Sequence, residues 1–175
     1  ELALNDLFEV DMIGSEEGEA QVELNGDFSK VRYIGRGMKG GSISVKGSVG
    51  NHLGEQMGGG RIVVSGNAGS WLGGAMKDGN IEVFGNVGDC VGVPYRGSRR
   101  GMRGGAVIIH GNGGDEVGAC MKEGYVQVDG DVGQFTGACI SGGTILTRGS
   151  SAGRLGPGMK AGRIVLLGHV DAILP

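Results

Sequence analysis

Met57-Gly58-Gly59-Gly60-Arg61-Ile62-Val63-Val64-Ser65-Gly66-Asn67-Ala68-Gly69-Ser70-Trp71-Leu72-Gly73 is one full unit of a pattern that runs through the chain. An apolar anchor precedes glycines, an alternating Ile/Val stretch follows, and a Gly-rich corner leads back to an apolar residue. Ile62 and Val64 are two residues apart and share one face of an extended strand, while Arg61, Val63 and Ser65 share the other. Gly66, Asn67 and Gly69 then bend the chain, because Gly and Asn tolerate the positive φ of tight corners. Leu72 turns back inward.

Outward from this unit the anchors recur as Met38, Met57, Met76, Met102, Met121, Ile140 and Met159, at spacings of 19, 19, 26, 19, 19 and 19. A fixed period of this size marks a stacked solenoid. The inward pairs recur with it: Ile43/Val45, Ile62/Val64, Ile81/Val83, Val107/Ile109, Val126/Val128, Ile145/Thr147 and Ile164/Leu166. Leu53, Val91, Val117 and Leu155 repeat the position of Leu72. Several glycines per unit exclude helices, since each costs about 1 kcal/mol in a helix interior. The pattern therefore predicts an all-β protein, a single-stranded parallel β-helix (solenoid) of about seven 19-residue coils.

Residues 1–175 read as a single β-helix domain. Residues 1–37 are expected to form an N-terminal cap and a degenerate coil around Val22 to Asp27, with Leu4, Leu7, Phe8 and Val10 covering the first end. The seven coils occupy 38–168, with an insertion loop at 93–100, and 169–175 form a C-terminal tail. Val170, Ile173 and Leu174 offer little cover for the last coil, whose open parallel edge is expected to meet a partner or further chain.

Glycine supplies 41 of the 175 residues, yet the collagen period is absent, and 39% hydrophobic residues in register exclude a disordered linker. The net charge is -3 and the cations are scattered along the sequence, so no nucleic-acid partner is expected. No apolar run approaches the roughly 20 residues of a membrane span, and no signal peptide opens the chain, so no membrane association is expected. Three cysteines without Cys-x-x-Cys spacing fit a reducing, cytoplasmic setting. Cys120 and Cys139, 19 apart, should stack on successive coils within disulfide reach. The reducing setting favours two free thiols.

Gly35-Arg36-Gly37-Met38-Lys39-Gly40 matches a dinucleotide fingerprint letter for letter, but a strand and not a helix follows it. The methionine column reads as core and not as a thioether metal site. Asn67, Asn86, Asn112 and Asp131 share one corner and are expected to form a ladder of hydrogen-bonded amides. His52, Trp71, Cys90, Glu116 and Phe135 share another column, read as an outward contact face. His52, His110 and His169 fall at different coil positions, and Asp115 with Glu116 reads as a solvated corner. No catalytic, cofactor-binding or metal-binding set emerges.

The step of 26 places 7 extra residues between Gly92 and Met102. Tyr95, Arg96, Arg99 and Arg100, with Arg103 just beyond, form a cationic protrusion suited to a carboxylate, a phosphate or an acidic partner surface. Val63, Phe84, Ile108, Leu146, Val165 and Leu167 alternate with the core pairs, so they face outward as a candidate docking face. Loop and face together favour a component of a multiprotein complex, with a homo-oligomer through the outer face or coil ends as the alternative.

Pro94-Tyr95-Arg96-Gly97-Ser98-Arg99-Arg100-Gly101-Met102, with the strand ending His110-Gly111-Asn112 and the opening Asn5-Asp6-Leu7-Phe8-Glu9-Val10, resembles the C subunit of formylmethanofuran dehydrogenase. That repeat is related to the C-terminal domain of the glutamate synthase large subunit. The resemblance implies a right-handed β-helix acting as a noncatalytic scaffold in a complex that reduces carbon dioxide to formylmethanofuran. It places a molybdenum or tungsten pterin, iron-sulfur clusters and a dinuclear metal site in the partner subunits and no cofactor in this chain. The alternatives it carries are the C subunit of a formyltransferase/hydrolase complex and a glutamate synthase-type structural domain.

Overall fold

The computed structural model describes residues 10–13, 20–94, 98 and 100–170. Strands form where the alternating stretches stand: β1 (Val10–Ile13), β2 (Gln21–Asn25), β3 (Lys39–Lys46), β4 (Gly58–Val64), β5 (Asp78–Val83), β6 (Arg103–Ile109), β7 (Glu123–Val128), β8 (Ser141–Thr147) and β9 (Ala161–Leu166). They build one nine-stranded sheet in chain order. β1 meets β2 antiparallel, and every later neighbour is parallel. Each parallel step is one coil of about 19 residues, so the fold is a parallel β-solenoid of about seven turns.

The register follows the sequence period. Ile43, Ile62, Ile81, Val107, Val126, Ile145 and Ile164 pair in one column, and Val45, Val64, Val83, Ile109, Val128, Thr147 and Leu166 in the other. Val22 and Leu24 of β2 extend both columns by one strand. The interior of the stack is closed, with Met57, Met76, Met102, Met121 and Ile140 fully buried, whereas Met159 of the last coil is 41% exposed. Each fully buried aliphatic side chain contributes roughly 1.5 to 3 kcal/mol. Thr136 in the fifth repeat and Thr147 in the sixth take core positions, and among the described residues their buried hydroxyls meet no hydrogen-bond partner.

The glycines after each anchor are explained by the anchor of the coil before. A Cβ on Gly79, whose φ is +97°, would stand 2.8 Å from Met57 Cε, and one on Gly124 would stand 2.9 Å from Met102 Cε. The missing side chain is the space the methionine occupies.

At the corner, Asn67 Oδ1 accepts the backbone amide of Asn86 at 2.8 Å, Asn86 Oδ1 that of Asn112 at 2.8 Å, and Asn112 Oδ1 that of Asp131 at 2.8 Å. The side chains therefore bond to backbone one coil on, and not to each other as expected. This is why Asp131, which has no amide group, continues the ladder by accepting from Ser150 N at 2.7 Å. A second ladder runs through Asn51, Ser70, Asp89 and Asp115, so Asp115 is a structural acceptor and more than a solvated corner.

The free-thiol expectation for Cys120 and Cys139 is corrected: the two form a disulfide, with Cα atoms 4.7 Å apart. Coil stacking brings equivalent residues within the bridging window, and that geometry decides the pairing where compartment does not. Cys90 is free. Among the described residues no helix is long and apolar enough to cross a membrane.

Candidate interaction surface

Three outward columns cover the sheet. Residues 42, 61, 80, 106, 125, 144 and 163 form the first, and residues 44, 63, 82, 108, 127, 146 and 165 the second. Lys46, Ser65, Phe84, His110, Asp129, Arg148 and Leu167 leave the strands as the third. The candidate docking residues thus share one face, but they do not form an unbroken apolar row. Val63, Ile108 and Leu146 are half-buried and alternate with Ser44, Glu82 and Gln127, while Phe84 and Leu167 are 53% and 64% exposed.

Between them lies a chain of alternating charges whose members stand at different coil positions. Arg61 Nη2 donates to Glu82 Oε2 at 2.8 Å, and Glu82 Oε1 lies 3.1 Å from His110 Nε2. His110 Nδ1 lies 2.9 Å from Asp129 Oδ2, and Arg148 Nε lies 3.0 Å from Asp129 Oδ1. Tyr125 Oη donates to Gln127 Oε1 and Gln127 Nε2 to Asp129 Oδ1, both at 2.8 Å. Phe84 stacks on the His110 ring, with centroids 4.7 Å apart.

With a carboxylate at each nitrogen, His110 is held above the usual histidine range, first by the Glu82 hydrogen bond, which with Asp129 outweighs the opposing effect of desolvation. The His110 hydrogen bond, with Arg61 assisting, holds Glu82 below the usual carboxylate range. Burial alone would raise Asp129, but hydrogen bonds from Gln127 and His110, with Arg148 beside them, lower it. Beside this network Arg61, Asn80, Glu82, Ala106 and Ile108 line a shallow hollow of about 170 Å³, open because Ala106 is small.

The column of His52, Trp71, Cys90, Glu116 and Phe135 also runs straight along the stack, extended by Tyr33 and Arg154, all with φ between 55° and 66°. Tyr33, His52 and Trp71 stack at centroid distances of 4.6 and 5.4 Å, and Arg36 and Arg154 lie over Tyr33 and Phe135. Glu55 is buried beneath this stack; its Oε2 lies 3.1 Å from His52 Nδ1 without the alignment of a hydrogen bond.

Of the predicted loop residues, Tyr95, Arg96 and Arg99 lie outside the described residues. Arg100 is exposed. Arg103 opens β6 half-buried, its Nε enclosed and, among the described residues, without a hydrogen-bond partner. Among the described residues no group of three or more His, Cys, Asp or Glu could hold a metal ion.

Fold and surface define a class: a parallel β-solenoid with an ordered, charged outer face. No protein-family model matches the chain, and no curated protein sequence does. The chain is similar to a chain of the X-ray crystal structure of the formyltransferase/hydrolase complex (FhcABCD) from Methylorubrum extorquens in complex with methylofuran, at 32% identity and a TM-score of 0.88. The match covers 99% of this chain and 63% of that one, so this chain spans less than two thirds of the matched subunit's length.

Proposed function

We propose that the chain is a noncatalytic structural subunit of a formyltransferase/hydrolase-type complex that works on a one-carbon unit carried by a furan cofactor such as methylofuran. The similarity at a TM-score of 0.88 and 32% identity over 99% of the chain carries this reading. The outer face agrees with it, because Arg61, Glu82, His110, Asp129 and Arg148 neutralise one another in sequence, an arrangement that orders a contact surface. In this role the solenoid is a rigid frame, and the chemistry belongs to its partners.

The motif from Pro94 to Met102 favours a second reading, the C subunit of formylmethanofuran dehydrogenase, with the molybdenum or tungsten pterin, iron-sulfur clusters and dinuclear metal site in partner subunits. Affinity purification of the tagged chain from its native host separates the two. Recovery of formyltransferase and hydrolase subunits without a pterin enzyme supports the first reading, and a pterin enzyme in stoichiometric yield replaces it with the second. Recovery as a lone monomer overturns both.

A further inference from the structure

The residue that follows each anchor stands at one position on every coil, because its amide donates to the preceding coil's anchor carbonyl. Lys77 N bonds Met57 O at 2.7 Å, Arg103 N bonds Met76 O at 2.8 Å, Lys122 N bonds Met102 O at 2.8 Å and Lys160 N bonds Ile140 O at 2.8 Å. With Lys39 after the first anchor, five cations stand in single file, interrupted only by Gly58 and Ser141. Coil stacking at roughly 4.8 Å makes this a ridge about 29 Å long on a chain whose net charge is -3. The cations that look scattered in the sequence are gathered by the fold.

Like charges at this spacing repel, and among the described residues no ion pair relieves them. The four lysines are exposed, and among the described residues no carboxylate pairs with any of the five. Asp78 and Glu123 lie one residue further on, where the register sets them opposite Gly58 and Arg103 of the coil before, but neither makes an ion pair with the ridge; Asp78 instead accepts the amide of Gly79. Three outward cations off the ridge, Arg61, Arg148 and Lys46, do meet carboxylates. Arg103 adds an enclosed Nε that no acceptor among the described residues meets.

We infer that this ridge is the docking site for an extended acidic segment of a partner protein, lying along the solenoid axis with its carboxylates on one side. Same-side residues of an extended chain recur at about 6.7 Å, a mismatch with the coil step that flexible lysine arms absorb. Nucleic acid fits less well. The positions directly before the anchors are Gly, Gln, Ala and Cys, with no aromatic platform for bases, and a single file of charges is narrower than a duplex backbone needs. The inference rests on the reading that the chain works in an assembly, but not on which assembly.

The test uses the chain alone, so it stands or falls apart from the identity of the complex. A fluorescent peptide of alternating Glu and Ser, long enough to span the ridge, is titrated at low salt and followed by anisotropy. The variant Lys39→Gln/Lys77→Gln/Lys122→Gln/Lys160→Gln should lose at least about tenfold in affinity, whereas Lys30→Gln/Arg32→Gln/Lys46→Gln/Arg163→Gln, which removes the same charge elsewhere, should stay within about twofold. Carbodiimide coupling of the peptide to the unmodified chain should fall on Lys77 and Lys122. Equal loss in both variants, or coupling spread over other lysines, overturns the site. Tighter binding of single-stranded DNA of equal charge overturns the choice of partner.

Discussion

The amide of Met102 donates to the carbonyl of Gly92 at 2.8 Å, the bond that in a regular coil joins the anchor to the glycine three residues back, as Met76 does to Gly73 at 3.1 Å. The insertion therefore leaves and re-enters the coil at one point, and Ile81 still pairs with Val107 across it. Deleting residues 94–100 leaves Gly92-Val93-Gly101-Met102, the spacing of Gly73 to Met76. Urea denaturation of this deletion should give a stability within about 1 kcal/mol of the parent, because the Met102–Gly92 bond and the Ile81–Val107 pairing stay in place and shortening a connection changes mainly its closure entropy. A chain that no longer unfolds cooperatively would show that the insertion props the core.

Gly79 and Gly37 both have positive φ, +97° and +67°, but only Gly79 is enclosed. A Cβ at Gly79 meets Gly60 O and Met57 Cε at 2.8 Å each, while at Gly37 it meets nothing within 4 Å. Gly37→Ala should cost only the left-handed backbone strain, about 1 to 2 kcal/mol. Gly79→Ala adds displacement of a fully buried methionine, for about 3 kcal/mol in all. Equal losses in denaturant titrations would refute the claim that each methionine needs the glycine one coil on.

Cys120 and Cys139 close a loop of 19 residues, so reduction should remove about 3 kcal/mol of stability in the chain-entropy account. Protein denatured without reductant should titrate as one thiol per chain, that of Cys90, and as three after reduction. In the native state Cys90 should react slowly at neutral pH. Burial pushes its thiol up to about 11, and the carboxylates of Glu116, Asp89 and Asp115 add to the effect. Glu116→Gln should speed its alkylation, and an unchanged rate would remove Glu116 from the explanation.

The sequence disclosed the core relations that run straight along the stack. The period placed Ile62 over Ile43 and Cys139 over Cys120, and the structure pairs them so. It concealed relations that run diagonally. Glu82 belongs to the second outward column and His110 to the third, so listing residues by coil position separates two side chains that meet at 3.1 Å. Sheet register with side-chain length, neither of them a property of one position, decides that contact. The cationic ridge was legible in principle, since Lys39, Lys77, Arg103, Lys122 and Lys160 each follow an anchor. The five are far apart along the chain and become neighbours only along the stack.

His110 between Glu82 and Asp129 makes stability depend on pH in a direction the shifts determine. The histidine is raised above its ordinary value of 6.5, so its stabilising contribution is full below 6.5 and disappears as pH rises through the elevated value. Glu82 and Asp129 are lowered below 4.5 and 3.8, so theirs are full above those values and vanish as pH falls through the lowered ones. All three contributions are complete between 4.5 and 6.5. The groups are partly open to solvent, so the histidine contribution should stay below about 1 kcal/mol. The difference in melting temperature between the parent and His110→Gln should be largest near pH 5.5 and shrink toward pH 8.5, and more strongly in low salt than in high. A difference that does not change with pH would mean that His110 stabilises only by stacking on Phe84.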